Sequence, residues 1–498
     1  MMHGTQKSDP VEVAMKPTNK AAVTGAAESM ERRTGTEGNV DQQSTDRTQS
    51  RMNVSQALAR VRQTARAKKK ERFTALLHHV TIDLLRVSFY AIKRKAAPGV
   101  DGVTWGSYEA NLEAHLQDLH DRVHRGAYRA QPSRRTYIPK ADGRLRPLGI
   151  AALEDKIVQR AVVAVLQSIY EEDFLGFSYG FRPGRSQHDA LDALIVGIER
   201  RRVNYVLDLD VQNFFGTVGH DWLLRFMEHR IADQRVLRLI RKWLNAGVLE
   251  DGVLTVDEGG TPQGATISPL LANVYLHYVL DLWTQQWRAR HATGDMVVVR
   301  FADDGVLGFE HEADAQRYLQ EVRDRLAAFS LALHPEKTKL IEFGRHAAAR
   351  RKQRGDKKPE TFTFLGFTLI CGRSRKGGFL IHRKTRADRM RVTLARVKAE
   401  LRKRMHQSIP EQGHWLQQVV RGYFAYHAVP TNTWAIGAFR NHVIAAWKRS
   451  LSRRSQKGRV VWARMKQLAV DWIPKAVILH PWPNQRFDVK HPRWEPSA

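Results

Sequence analysis

Four aspartates, grouped at two places in the chain, have the types and spacing to do chemistry. Residues 297–309 read VVVRFADDGVLGF, so Asp303 and Asp304 are adjacent and lie between two apolar runs. Residues 205–215 read YVLDLDVQNFF, which puts Asp208 and Asp210 on alternate positions. Neighbouring carboxylates repel one another, and a divalent cation with a preference for oxygen ligands relieves that repulsion. Two such ions, about 4 Å apart, activate an attacking hydroxyl and stabilise a departing pyrophosphate. They need few protein carboxylates, because water and substrate phosphate complete their shells. Each pattern also has a plainer reading. Residues 303–305 alone could be a solvated Asp-Asp-Gly turn, and Asp208 is read here as an exposed edge charge.

The flanking residues say which elements must hold these side chains. Two strand-like runs around Asp304-Gly305 predict a β-hairpin, with glycine supplying the positive φ of the turn. Tyr205, Leu207, Leu209 and Val211 alternate with Val206, Asp208 and Asp210, which predicts a strand with one apolar face and an acidic end. Upstream, residues 137–150 (YIPKADGRLRPLGI) predict a second hairpin with its turn at Asp142-Gly143. Helical spacing recurs over 73–95, 105–125, 152–170, 268–280 and 312–328.

The chain has 498 residues, enough for several domains, and 42% hydrophobic residues from which to build them. Lys and Arg number 81 against 51 Asp and Glu, a net charge of +30 that predicts a polyanionic partner, most simply nucleic acid. An anionic membrane surface is the alternative, but no apolar run reaches the ~20 residues of a membrane span. The first ten residues lack the apolar core of a signal peptide. One cysteine, Cys371, excludes intramolecular disulfides and multi-cysteine zinc sites. A cytoplasmic, bacterial protein is the expectation. Residues 1–50 are rich in Thr, Gln, Ser and Gly and are expected to be disordered, followed by a basic helix over 55–72. From 373 to 404 there are thirteen Lys or Arg and two acids. Met390, Leu394, Val397 and Leu401 mark the inner face of a helix that turns its cations outward.

Taken in order, these boxes resemble a known family. Phe301-Ala302-Asp303-Asp304 resembles the Tyr-x-Asp-Asp box of reverse transcriptases, with Phe for Tyr, and 210–215 resembles their first acidic motif. GTPQG at 260–264, running into ISPLLAN at 267–273, resembles the template-and-nucleotide motif of the group II intron-encoded reverse transcriptase/maturases. The resemblance covers most of the chain from about residue 96. It implies an α+β right-hand polymerase fold: fingers, a palm with an antiparallel sheet and helices, and an α-helical thumb. The expected division is a disordered, basic extension over 1–70, fingers and palm over 71–375, thumb/maturase over 376–451 and a basic DNA-binding region over 452–498.

The resemblance also assigns roles. Asp210 and Asp303, with the backbone carbonyl of Val211, are expected to hold two Mg²⁺ ions, with Asp304 supporting. Lys140 and Arg146 are expected to contact nucleotide phosphates, Phe215 to sit where a ribose 2′-hydroxyl would lie, and Gln263 to bond a base edge and a sugar. Lys337 matches the motif lysine that protonates pyrophosphate. The loop YGFRPGR at 179–185 is expected along the template path, and 362–367 as the primer-grip hairpin. Arg383, Lys384, Arg386, Arg389, Arg391, Arg396, Arg453 and Arg454 are expected to grip RNA. Where the family usually shows Asp, this chain has Gly216 and Gly219, leaving the next helix start without a side-chain cap.

The function implied is an RNA-directed DNA polymerase and maturase. Its partners would be group II intron RNA, target DNA with a primer 3′ end, and dNTPs. Two alternatives stay open: an inert maturase acting as an RNA chaperone, and a reverse transcriptase of a retron or defence system. Charge alone would also fit a generic basic RNA-binding protein. The tail offers His480 and His491 but no cysteine, so no metal-stapled nuclease is expected there, nor cleavage of a second target strand. Priming from a pre-existing 3′ end is expected instead.

Overall fold

The computed structural model describes residues 40–139, 145–250, 253–255, 259–260, 264–454 and 459–491, except the side chains of 40–50, 139 and 146. The expectations for residues 1–39, the turn at Asp142-Gly143, Lys140, Gln263 and the Arg146 side chain lie outside it. Residues 40–50, expected to be disordered, instead begin a helix, Val40–Ala67.

The centre of the molecule is a four-stranded antiparallel sheet of β3 (Tyr205–Asp210), β6 (Met296–Phe301), β7 (Asp304–Phe309) and β8 (Lys339–Glu342), in the order β6-β7-β3-β8. Both faces are buried. Leu207, Leu209, Val298 and Leu307 pack in one core with Tyr318 and Leu326 of the helix Glu312–Ala327. Val206, Val297, Val299 and Val306 pack in a second core with the helix Gln187–Arg200. This sandwiching explains why β6 and β7 read as continuous apolar runs rather than alternating ones. Asp208 and Asp210 lie on the second face, beyond its apolar cover.

The fingers hairpin, β1 (Ser133–Pro139) against β2 (Leu145–Ile150), is extended by β4 (Val248–Glu250) and β5 (Val253–Thr255). β9 (Phe362–Phe364), β10 (Phe367–Arg373) and β11 (Phe379–Thr385) form a third sheet beside the palm. Several long helical patterns break where the backbone needs it. The 105–125 pattern divides into Trp105–Glu109 and Leu112–His124, and the 268–280 pattern opens after Leu276 into a π turn, His277–Asp281.

Four helices form the thumb core: Ala387–Lys403, Ile409–His427, Thr433–Ser452 and Trp462–Trp472. Leu394, Val397 and Leu401 face inward as their spacing requires, against Trp447, whose indole N–H donates to Gln412 Oε1 at 2.8 Å. The boundary expected at 452 has no counterpart in the packing. Met465, Leu468 and Ile473 belong to this same core. The helix Pro483–Lys490 lies on Gln187–Arg200 of the palm, with Phe487 buried, Arg486 2.6 Å from Asp192 and Lys490 2.7 Å from Asp189. Among the described residues no helix is long and apolar enough to cross a membrane.

Candidate catalytic site

Register brings the two acidic segments together. In the β3–β7 ladder Asp210 lies opposite Asp304, Leu209 opposite Gly305 and Asp208 opposite Val306. β6 closes on β7 with Phe301 opposite Asp304, so the hairpin tip is Ala302-Asp303 rather than Asp304-Gly305. The left-handed residue is accordingly Ala302, at φ 57°, and Gly305 is an ordinary strand residue over Leu209. A non-glycine residue in that region costs free energy that its neighbours must offset.

The offset comes from a buried residue that the motif reading passed over. Arg300, 2% exposed, donates from Nε and Nη2 to the two oxygens of Asp281 at 2.7 and 2.6 Å. Its remaining bonds go to Ala302 O at 2.8 Å, Asn273 Oδ1 at 3.2 Å and Ser178 Oγ at 2.7 Å. The π turn at 277–281 is the segment that carries Asp281. From the other side Gly180 presses on the hairpin: a Cβ there would stand 2.1 Å from Ala302 N. The one sequence signal for this clamp is an arginine inside an apolar strand.

Asp208, Asp210, Asp303 and Asp304 all line one cavity of about 1200 Å³. Asp208 is half-buried inside it, not the exposed edge charge expected. Loss of water, then the carboxylates of Asp304 and Asp210, push Asp208 up to about 7 against the pull of Lys339. Asp304 is open to the cavity, yet the protein crowded around it, followed by the charges of Asp303 and Asp210, pushes its carboxyl upward. Lys337 Nζ lies 3.2 Å from both oxygens of Asp210. Among the described residues no three His, Cys, Asp or Glu side chains stand close enough together to hold a metal ion by themselves. Hard oxygen donors gathered at one sheet end nevertheless suit Mg²⁺, which keeps water and takes phosphate in place of further protein ligands. Val211, bridged to Leu333 and buried, stands at the same strand end.

Phe215 is half-buried against Phe214, at a ring separation of 5.4 Å, beneath the Gly260 turn. That turn is stapled down by Gly260 N to Val218 O at 2.7 Å and by a 2.6 Å bond between His220 Nε2 and Gly260 O. The helix His220–Glu228 has Gly219 as N-cap and no side-chain cap, as its sequence implies. A Cβ on Gly216 would come within 2.5 Å of the Asn213 amide.

The far wall of the cavity is the β9–β10 hairpin, whose Leu365 O accepts from Tyr426 Oη at 2.6 Å, together with Arg386 and Arg389. Along the next helix Arg391 and Arg396 are exposed, as are Lys384 and Arg453. Arg386 is half-buried and held bidentately by Asp388 at 3.0 and 2.7 Å, and Arg454 bonds Gln407 O. Arg383 does not belong with them: it is 1% exposed and its Nη1 lies 3.3 Å from Asp192. An RNA phosphate cannot reach it, because burial between palm and thumb has already committed its charge.

Residues 138–369 match the family described as reverse transcriptase (RNA-dependent DNA polymerase). The chain is 36% identical over 315 residues to Protein YkfC of Escherichia coli K12, covering 56% of this chain and 77% of that protein. It is also 36% identical over 235 residues to the Group II intron-encoded protein LtrA of Lactococcus lactis subsp. cremoris, covering 45% of this chain but 38% of LtrA. A 91 kDa protein in the cob intron of Schizosaccharomyces pombe is 39% identical over 189 residues, with 23% of its length spanned.

Proposed function

Because the chain belongs to the reverse transcriptase family, in the branch of group II intron-encoded proteins, we propose that it is an RNA-directed DNA polymerase that also binds intron RNA and assists its splicing. The observation that carries the polymerase reading is the register pairing of Asp210 with Asp304, which sets the Asp303 tip and both strand ends on the floor of one cavity. The inert-maturase alternative has no use for that convergence.

On this reading Asp210, Asp303 and the Val211 carbonyl hold two Mg²⁺ ions, with Asp304 in support, and the bound metal supplies Lewis acidity at the reacting phosphate. The chain's own residues do the rest. Phe215 limits the space beside the sugar of the incoming dNTP. Lys337, already at the metal-binding end of β3, holds the proton that the leaving pyrophosphate takes. Arg389, Arg391 and Arg396 meet nucleic-acid backbone on the thumb. The partners are intron RNA, a DNA primer 3′ end and dNTPs, in a bacterial cytoplasm.

Asp303→Asn removes a charge with little change in volume. Primer extension on an RNA template should be lost while binding of intron RNA is kept. Robust extension by the variant would sink the assignment.

A further inference from the structure

Phe181 is an exposed phenylalanine held in a left-handed backbone conformation at the edge of the catalytic cavity. Its φ is 59° and it is 49% exposed. The ring keeps about half of its surface in water there, and the conformation costs free energy for any residue with a Cβ. The chain on either side of it is nevertheless held firmly. Next to it in sequence, Arg182 donates to both oxygens of Glu171 and to the carbonyls of Leu175 and Ser178 at 2.7 and 2.8 Å. On its other side, Gly180 O accepts from Asn273 Nδ2 at 2.7 Å, and Gly180 itself abuts Ala302 of the catalytic turn. Tyr179 N donates to Arg300 O at 2.8 Å. The loop is thus bolted to the Arg300 clamp, so the backbone that carries Phe181 is fixed relative to the turn of Asp303.

An exposed, over-determined outlier beside a reaction centre points to a contact with substrate. The cavity says which. Phe181 and the aspartates share it with the β9–β10 hairpin and with Arg386 and Arg389 on the thumb, whereas Phe215, on the nucleotide side, does not line it. A strand running through this space passes from the thumb arginines to the aspartates and ends at them. We propose that Phe181 is a stacking platform for the 3′-terminal nucleotide of the primer strand, holding its sugar and base so that the 3′-hydroxyl meets Asp303. This rests on the polymerase reading above. Stacking on an aromatic face is indifferent to base identity, which suits a primer end of any sequence.

The test uses the full chain, an RNA template and a DNA primer carrying 2-aminopurine as its last base, with a second duplex carrying the probe in the template opposite. F181G removes the ring and relieves the strain, so the variant should melt at or above the wild-type temperature. It should nonetheless bind primer–template about tenfold or more weakly, lose the primer-end fluorescence response, and leave the template probe unchanged. F181Y should restore both binding and response. Wild-type affinity in F181G, a response confined to the template probe, or a lower melting temperature with unchanged fluorescence would each overturn the proposal. Because the fluorescence reads binding without chemistry, D303N should keep it. A wild-type chain that stacks the primer end but extends nothing would refute the polymerase reading and leave this one standing.

Discussion

Arg300 and Asp281 make a two-pronged ion pair, 2.7 and 2.6 Å, that is almost wholly out of water, and the same guanidinium bonds the carbonyl of Ala302 in the turn that carries Asp303. Arg300 therefore acts through the backbone as a positioning residue. Arg300→Met would leave Asp281 buried and unpaired, at a cost of about 3–5 kcal/mol in stability. Arg300→Lys keeps the charge but loses the fork, so it should fold, and slow single-turnover extension tenfold or more with little change in KM for dNTP. Equal losses in kcat and in melting temperature for both variants would reduce Arg300 to a packing role.

His277, in the π turn beside this pair, has an Nδ1 without a partner, and burial holds its imidazole down to about 4. The folded value lies below the ordinary 6.5, so the unfolded chain takes up the proton first as pH falls. The stabilising contribution is complete above about pH 6.5 and is lost toward pH 4. By pH 4.5 most of that contribution, on the order of 2 kcal/mol, is gone. Burial pushes Asp155 up to about 6, giving the opposite slope over part of this range, so the difference between chains is the useful quantity. In urea titrations His277→Phe should show a shallower acid-side loss than the parent. Parallel curves would mean that His277 does not carry the effect.

Arg383 and Arg389 separate two roles that the sequence merged. Arg389→Glu, with Arg391→Glu and Arg396→Glu, should weaken intron RNA binding and flatten its salt slope by about one unit for each phosphate no longer neutralised, with stability unchanged. Arg383→Ala should leave the salt slope alone. Its cost is roughly 3 kcal/mol of stability, near the low end for breaking a buried pair, because Arg486 stays on Asp192. Filter binding across a salt series and thermal melts decide both.

What the sequence revealed and what it hid follow from the range of the forces involved. The acidic strand ends, the β6–β7 hairpin and the apolar face of the Ala387–Lys403 helix are local periodicities, and they were legible. The position of the turn was not. An Asp-Gly pair is the strongest short-range hairpin signal, yet here Arg300 and Gly180 hold Ala302 in the left-handed region instead, through partners far apart in the chain. Asp208 looked exposed because alternation reports a face but not what covers it. Arg383 was read as a surface cation because its partner, Asp192, is 191 positions away. The basic tail from 452 was expected to bind DNA, whereas Arg486 and Lys490 of its last helix are paired with Asp192 and Asp189 of the palm, partners about 300 positions away.

Gly216 and Gly219 stand where the related motif has aspartates, and the structure separates them. Gly219 is the N-cap of His220–Glu228 at φ −69°, which any residue adopts, and a Cβ there meets only ordinary contacts at 3.6 Å or more. Gly219→Asp would add a side-chain acceptor for the first turn, a favourable charge at the helix start and a stiffer unfolded chain. Together these should stabilise by about 1 kcal/mol. Gly216→Asp should not, because its Cβ falls 2.5 Å from Nδ2 of Asn213, itself left-handed at φ 44°. Asn213 must swing away, beside Phe214 and Phe215. We expect a lower melting temperature for that variant and a raised KM for dNTP as Phe215 shifts. A Gly216→Asp chain that melted higher and kept its KM would show that Asn213 moves without cost and that Phe215 is anchored independently of it.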